Sequence, residues 1–346
     1  MEEYIAFDSH KHYTICARED VAGSRERQGR IEHQPGAIRE ALADCDRGTA
    51  VALEATGNWY WIADEIEQAG FRPLLVHARK AKMMMGMVNK TDKLDARGLN
   101  RLQRCGTLPT VWVPPARLRD LRELTRLRIY QGRRRTSLKN RITSLLSKYG
   151  LQMQGYSDSY GPGARAELMG RLEQLPEHSS YVGQTMLEEL DRLADQIKAL
   201  ERRLAGLIEV SPDMGLLMSL PGVARILSAT IALEVGEVGR FASAAHLASY
   251  AGTTARVHAS GGKVRYGRLR PDTNRTLQWA YVEAANSVAV NHTRKPERHV
   301  SRLYQRIKER KGHGTAIGAV ARHLAEATYY VLKRKEPYRD PALMQQ

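Results

Sequence analysis

Apolar positions in the first hundred residues come in short runs separated by helical patterns. Tyr4 to Phe7 and Thr14 to Ala17 suit paired strands, with the polar segment Asp8 to Tyr13 between them. Ala37 to Ala43 has helical spacing. Ala50-Val51-Ala52-Leu53 is an apolar run too short for a helix, and the turn residues Ala55-Thr56-Gly57-Asn58 after it can start a helix over Trp59 to Ala69. Arg72 to His77, with Leu74, Leu75 and Val76, predicts another buried strand. A basic, Met-rich stretch, Arg79 to Asn89, follows, and a helix is expected to begin near Thr91. Strands alternating with helices predict an open α/β sheet with helices on its faces.

Pro109, Pro114 and Pro115 interrupt this pattern and set a boundary near residue 113. From Leu118 to Leu151 leucines and isoleucines recur at helical spacing. Residues 152–180 read as loop, and Thr185 to Ile208 carries an apolar stripe with a spacing near 3.5, which predicts a helical hairpin or coiled coil. A third unit starts at about 213. There Leu216 to Leu220 leads through Pro221-Gly222-Val223 into an apolar helix, Ile226 to Val235, so that the turn's backbone amides can face a phosphate or simply join two helices. Thr254 to Arg275 reads as a basic loop, and the remainder as basic helices. The expected domains are 1–112, 113–212 and 213–335, with a tail at 336–346.

Composition narrows the function. A chain of 346 residues has length for two or three domains, and 54 Lys and Arg against 38 Asp and Glu give a net charge of +16. Such a charge is costly self-repulsion unless a polyanion neutralises it, with nucleic acid the first candidate and a membrane surface the rival. The excess is concentrated. Residues 117–148 hold 11 Lys and Arg, among them Arg133, Arg134, Arg135, Lys139 and Arg141, against Asp120 and Glu123. In 254–275, Arg256, Lys263, Arg265, Arg268, Arg270 and Arg275 face only Asp272. No apolar run reaches a membrane span, and a cytoplasmic protein is expected. Cys16, Cys45 and Cys105 are odd in number and widely spaced, which excludes a disulfide framework and predicts buried thiols.

Two groups of residues could carry chemistry. Asp8 and Glu54 end strands, while Asp92 and Asp95 are three apart at a helix start and share a face. Carboxylates from several elements converging at strand ends are what two Mg²⁺ (or Mn²⁺) ions need for phosphoryl displacement, although each alone also reads as a turn, solvated or helix-start acid. The second group is His258-Ala259-Ser260-Gly261-Gly262-Lys263. Its glycines let the backbone expose the Ser260 hydroxyl to a phosphodiester among cations, or form only a flexible turn.

The tracts Leu53-Glu54-Ala55-Thr56-Gly57-Asn58-Trp59, Lys90-Thr91-Asp92-Lys93-Leu94-Asp95-Ala96-Arg97, Leu220-Pro221-Gly222-Val223 and Ala259-Ser260-Gly261-Gly262-Lys263 occur in that order. Together they resemble the insertion-sequence-110 family of transposases, the DEDD or bridge-RNA-guided serine recombinases, over about residues 3–290. The resemblance implies an N-terminal RuvC-like (RNase H-like) domain, a helical coiled-coil region and a mainly helical C-terminal transposase domain. It maps the metal-binding tetrad onto Asp8, Glu54, Asp92 and Asp95, and the catalytic serine onto Ser260. It further implies a homo-oligomer, dimer or tetramer, whose composite site is assembled across subunits. The partners it implies are target and donor DNA and a noncoding bridge RNA, with no membrane, in a prokaryotic nucleoid-associated setting.

The chain departs from the family pattern in three places. Ala6-Phe7-Asp8 stands where a Gly-Ile-Asp type of sequence is usual, Ala259 replaces the first of a common serine pair, and Ala224 stands where a second hairpin glycine is common. The competing functions are a RuvC-like structure-selective nuclease using water, with Ser260 structural, and a nucleic-acid-binding scaffold with a decayed site.

Overall fold

The computed structural model describes residues 3–23, 26–86, 92–209, 211–269 and 272–341. Thr91 and the end of the Met-rich stretch lie outside the described residues, as do the side chains of Asp92 and Arg268. The chain divides into two compact units, residues 1–117 and 118–346.

The first unit is built on a five-stranded mixed sheet. Its strands are β1 (Glu3–Ser9), β2 (Tyr13–Asp20), β3 (Glu26–Glu32), β4 (Ala50–Glu54) and β5 (Arg72–Val76), in the spatial order β3-β2-β1-β4-β5. β1 pairs antiparallel with β2 and parallel with β4. The helices are α1 (Ala37–Ala41), α2 (Trp59–Gln68), α3 (Ala78–Met85) and α4 (Asp92–Arg104). Strand alternation sorts the two faces. Ile5, Phe7, Val51 and Leu53 pack with Ile38, Ile62 and Ile66 of α1 and α2. Ala6 and Ala52 point to the other face, where they meet Leu99 and Leu102 of α4 and Ala81 of α3. Alanines there let α4 lie close to the sheet, and Asn100 Nδ2 donates to the Ala17 carbonyl at 3.0 Å while Gln103 Nε2 donates to that of Ala50 at 3.0 Å.

Two of these elements depart from the sequence reading. β3 has only Ile31 buried, so its polar run gave no strand pattern. The Met-rich stretch contains helix α3, anchored by buried Ala81 while Met83 is three-quarters exposed.

The second unit opens with α5 (Ala116–Lys148), whose residues from Leu118 onward belong to it, then α6 (Arg165–Glu173) and α7 (Glu177–Glu209). α5 and α7 run antiparallel, with Arg128 paired to Glu201, Gln131 bonded to Gln196 and Arg134 paired to Glu189. The expected loop 152–180 is partly helical: Leu168 and Leu172 of α6 are buried against Ile142, Leu146 and Leu187. The remaining elements are α8 (Pro212–Leu217), α9 (Arg225–Val235), α10 (Ala244–Tyr250), β6 (Ala255–Ser260), β7 (Lys263–Leu269), α11 (Arg275–Asn291), α12 (His299–Lys311) and α13 (His313–Arg334). Their core is rich in alanine, with Ala280, Ala284 and Ala285 of α11 and Ala316, Ala321 and Ala325 of α13 buried, which permits close helix packing. The Pro221-Gly222 turn is held against α11. Gly222 has φ +78°, and a Cβ there would lie 2.2 Å from the Ala284 carbonyl oxygen.

The basic segment after Gly252 is a β-hairpin rather than a loop. β6 and β7 pair antiparallel, and nearly every described side chain on them is exposed, so no amphipathic pattern marked them as strands. The thiols also differ from expectation: Cys16 and Cys45 are buried but Cys105 is exposed.

Candidate active-site carboxylates and the serine hairpin

In the first unit the register places Phe7 opposite Leu53, so Asp8 and Glu54 are the next residues of two adjacent parallel strands. They follow Ala6 and Ala52 at a spacing of two and therefore share the face that α4 covers. α4 runs antiparallel to β1. Its Ala96 packs on Ile15, the cross-strand partner of Asp8, and its Asn100 reaches Ala17, the partner of Ala6. The first turn of α4, with Asp92 and Asp95, therefore begins at the sheet end that carries Asp8 and Glu54. Arg104 to Glu19 at 3.3 Å and Arg97 to Glu26 tie α4 to β2 and β3. Burial pushes the Glu19 carboxyl up, against the lowering effect of Arg104.

Asp8 is buried, and its Oδ2 lies 3.2 Å from His10 Nε2. The turns that follow Asp8 and Glu54 are joined by a residue whose role the sequence reading missed. Asn58 stands at the N-cap position of α2 but makes no cap bond. Its Oδ1 instead accepts from Thr56 Oγ1 at 2.9 Å, and its Nδ2 donates to the His10 carbonyl at 2.7 Å. An Asn after a Gly signals a helix start, and nothing local in sequence shows that its amide is directed 48 residues back.

The carboxylate oxygens offer the hard donors that Mg²⁺ prefers, and the shared face of Asp8 and Glu54 suits such an ion. Among the described residues no group of three or more His, Cys, Asp or Glu side chains is gathered closely enough to hold a metal. Asp8, Glu54 and Asp95 alone do not make a closed cage.

In the second unit Ser260 ends β6 and pairs with Lys263 across a two-residue turn. Gly261 and Gly262 have φ +55° and +74°, the pair of left-handed conformations that a tight hairpin turn requires. The glycines therefore hold a defined turn that presents an exposed serine. His258 shares the serine's face, but its imidazole leans on Gly267, where a Cβ would stand 3.3 Å from Nε2, away from the tip. Among the described residues Ser260 Oγ has no hydrogen-bond partner. Ser243 Oγ, by contrast, lies 2.8 Å from His246 Nδ1 at the start of α10.

Arg256, Lys263 and Arg265 are exposed along the hairpin. On α5, Arg133 and Arg141 are exposed and Arg135 half-buried, whereas Arg134 is paired with Glu189 and Lys139 with Asp158. Those two cations are partly committed within the protein. Buried Glu234 ties α5 to the start of α11. It accepts from Arg126 Nε at 2.9 Å and from Asn274 Nδ2 at 2.7 Å, while Asn274 Oδ1 caps α11 through the Thr276 and Leu277 amides.

A RuvC-like mixed sheet with acids at adjacent strand ends, joined to a strongly basic helical unit, defines a nucleic-acid-processing enzyme. Residues 5–151 match the model of the DEDD transposases of the IS110 type, and residues 214–301 match that of the transposase IS116/IS110/IS902 family. The chain belongs to the IS110 family of transposases, enzymes that cut and rejoin DNA. Relatives include a probable family 20 transposase of Pseudomonas aeruginosa, 24% identical over 84% of this chain and 85% of its own. The transposase for insertion sequence element IS1111A of Coxiella burnetii is 24% identical over 72% and 69%. A pilin gene-inverting protein of Moraxella bovis is 25% identical over 83% and 80%. No helix among the described residues is long and apolar enough to cross a membrane.

Proposed function

We propose that this transposase exchanges DNA strands through a covalent ester on Ser260. The observation that carries the reading is the exposed serine beside a Gly-Gly turn, with Arg256, Lys263 and Arg265 exposed along the same hairpin. Ser260 Oγ attacks a DNA phosphorus, an Oγ–P bond forms, the P–O bond to the leaving deoxyribose oxygen breaks, and the hydroxyl proton passes to a base or solvent. Attack by the free hydroxyl of a second DNA end reverses the same bonds, so rejoining needs no ATP. The similarity to a pilin gene-inverting protein agrees with cutting coupled to rejoining.

Asp8, Glu54, Asp92 and Asp95 are the residues that would hold Mg²⁺ or Mn²⁺, which supplies Lewis-acid stabilisation of phosphate charge when bound. Asn58 keeps the turns that follow Asp8 and Glu54 in register. Arg133, Arg135 and Arg141, with the hairpin cations, follow the phosphate backbone. The active form is a homo-oligomer, and a noncoding bridge RNA selects target and donor DNA; both rest on the family resemblance, and sequencing RNA that copurifies with the protein tests the second.

The direct test is Ser260→Ala, which should abolish strand exchange and any denaturation-resistant protein–DNA adduct while leaving DNA binding nearly unchanged. Ser243→Ala, removing the serine bonded to His246, should retain both. Normal cutting by Ser260→Ala would instead make water or another serine the nucleophile.

A further inference from the structure

Between the base of the β6–β7 hairpin and helices α12 and α13 lies an open cavity of about 670 Å³. Four cations stand on its wall: Arg306, Arg310 and Lys311 from α12, and Arg322 from α13. Arg322 has an acidic partner, Glu326, at 2.9 Å. The other three have none among the described residues, and the nearby Glu309 accepts instead from Gln305 at 3.1 Å. Arg306 and Arg310 are one turn apart on the same helix, where like charges repel. Across 299–334 there are eight Lys and Arg against two Glu.

Its floor carries the second observation. Gly314 and Gly318, one turn apart on α13, line the cavity, and a Cβ at either would meet nothing within 4 Å. Glycine inside a helix costs stability relative to alanine, and no packing inside this unit requires it here. The two residues keep a strip of helix backbone bare toward the cations. No aromatic side chain among the described residues lines the cavity, so these offer no platform on which a base could stack. Positive walls and a bare floor suit a sugar-phosphate backbone rather than a base. Most of α12 and all of α13 lie beyond Ser301, where the family match ends.

We infer that this groove is a clamp for the phosphodiester backbone of DNA flanking the bond that Ser260 attacks. This rests on the proposed role of Ser260 in choosing DNA as the occupant, because β6 runs from the groove at Ala255 to the tip at Ser260. Five residue steps along a strand span about 17 Å, which is about five base steps along a duplex. The clamp therefore grips phosphates about five nucleotides from the cleaved one, without reading sequence.

The test measures affinity against salt for the full chain on two duplexes of equal length, one carrying the element's own end and one scrambled. Each phosphate contact contributes a logarithmic slope of about −0.9, so Arg306→Gln/Arg310→Gln/Lys311→Gln should make the slope shallower by about 2 to 3 on both duplexes. Gly318→Leu, which fills the groove without changing charge, should weaken binding to both. Methylphosphonate substitution about five nucleotides from the cleavage point should weaken the parent protein and leave the triple variant unaffected. Unchanged slopes and affinities in these variants would overturn the clamp, as would loss of binding to single-stranded RNA with duplex affinity intact. Both readouts are binding measurements and do not use cleavage. Failure of the clamp is therefore distinct from failure of the Ser260 reading, which appears as a missing adduct in the parent protein.

Discussion

Glu234→Ala tests whether a single buried carboxylate holds α5, α9 and the start of α11 together. The Glu234 side chain is fully buried, and its oxygens face Arg126 at 2.9 and 3.3 Å, Asn274 at 2.7 Å and Arg122 at 3.7 Å. Breaking a buried pair by removing one partner costs about 3–5 kcal/mol, because the remaining charge is left uncompensated. Two features place this case near the lower end. Arg122 retains bonds to the Leu233 and Glu234 carbonyls at 2.8 and 2.9 Å, and Arg126, about one-third exposed, can turn toward Glu123 or solvent. About 3 kcal/mol is expected for alanine. Glutamine keeps the shape but exchanges one acceptor for a donor beside Asn274 or Arg126, for about 1–3 kcal/mol. Urea unfolding followed by far-ultraviolet circular dichroism, to which the helices of 118–346 contribute most, reads the loss. At a slope of about 2–3 kcal/mol per M, the alanine midpoint should fall by about 1–1.5 M. A fall below about 0.3 M, with glutamine indistinguishable from the parent protein, would refute the anchoring role.

Three further outcomes follow from local structure. Gly222→Ala combines a left-handed φ of +78° with a Cβ 2.2 Å from the Ala284 carbonyl, and should cost about 3 kcal/mol or more in urea unfolding, whereas Gly215→Ala, with open space at its Cβ, should cost nothing measurable. Of the three thiols only exposed Cys105 should react quickly with a maleimide at pH 7.5, since burial pushes Cys16 and Cys45 up to about 12; rapid labelling of all three by mass spectrometry would contradict their burial. Burial, with His299 beside it, lowers the His323 imidazole from its ordinary 6.5, and Glu326, Asp340 and Tyr338 also face it. Because the folded state resists its protonation, that contribution to stability is complete above pH 6.5 and is lost as pH falls through the lowered value, so the urea midpoint should drop on acidification and His323→Gln should flatten the drop.

The sequence showed those parts whose burial is local. β1, β4 and β5 were legible because their apolar runs are buried from neighbouring residues outward, and α5, α7 and α9 because their leucines and isoleucines keep helical spacing. β3, α3 and α6 present one or two buried side chains each, Ile31, Ala81, and Leu168 with Leu172, too few for a period. The β6–β7 hairpin has almost no buried side, so its two strands carried turn chemistry and charge but no alternation. The same distinction applies to the sites. Asp8, Glu54, Asp95 and Ser260 stand out as candidates in the sequence from their place beside turns and helix starts. Asn58 and Glu234 act through partners 48 and 108 residues distant, and only the folded chain brings those together. Cys105 follows the last turn of α4, where the helix leaves the sheet, and this explains its exposure despite a residue type that is usually buried.

Attack by Ser260 can be read from one peptide. Trypsin cleavage after Arg256 and Lys263 releases Val257 to Lys263, in which Ser260 is the sole hydroxyl-bearing residue. The full-length protein is incubated with Mg²⁺ and DNA carrying the element's end, trapped under denaturing conditions, then digested with nuclease and trypsin and examined by mass spectrometry. A serine ester yields this peptide carrying a nucleotide phosphate on Ser260. DNA cut without any linked peptide, or a nucleotide found on Phe241 to Arg256, which contains Ser243 and Ser249, would contradict attack by Ser260.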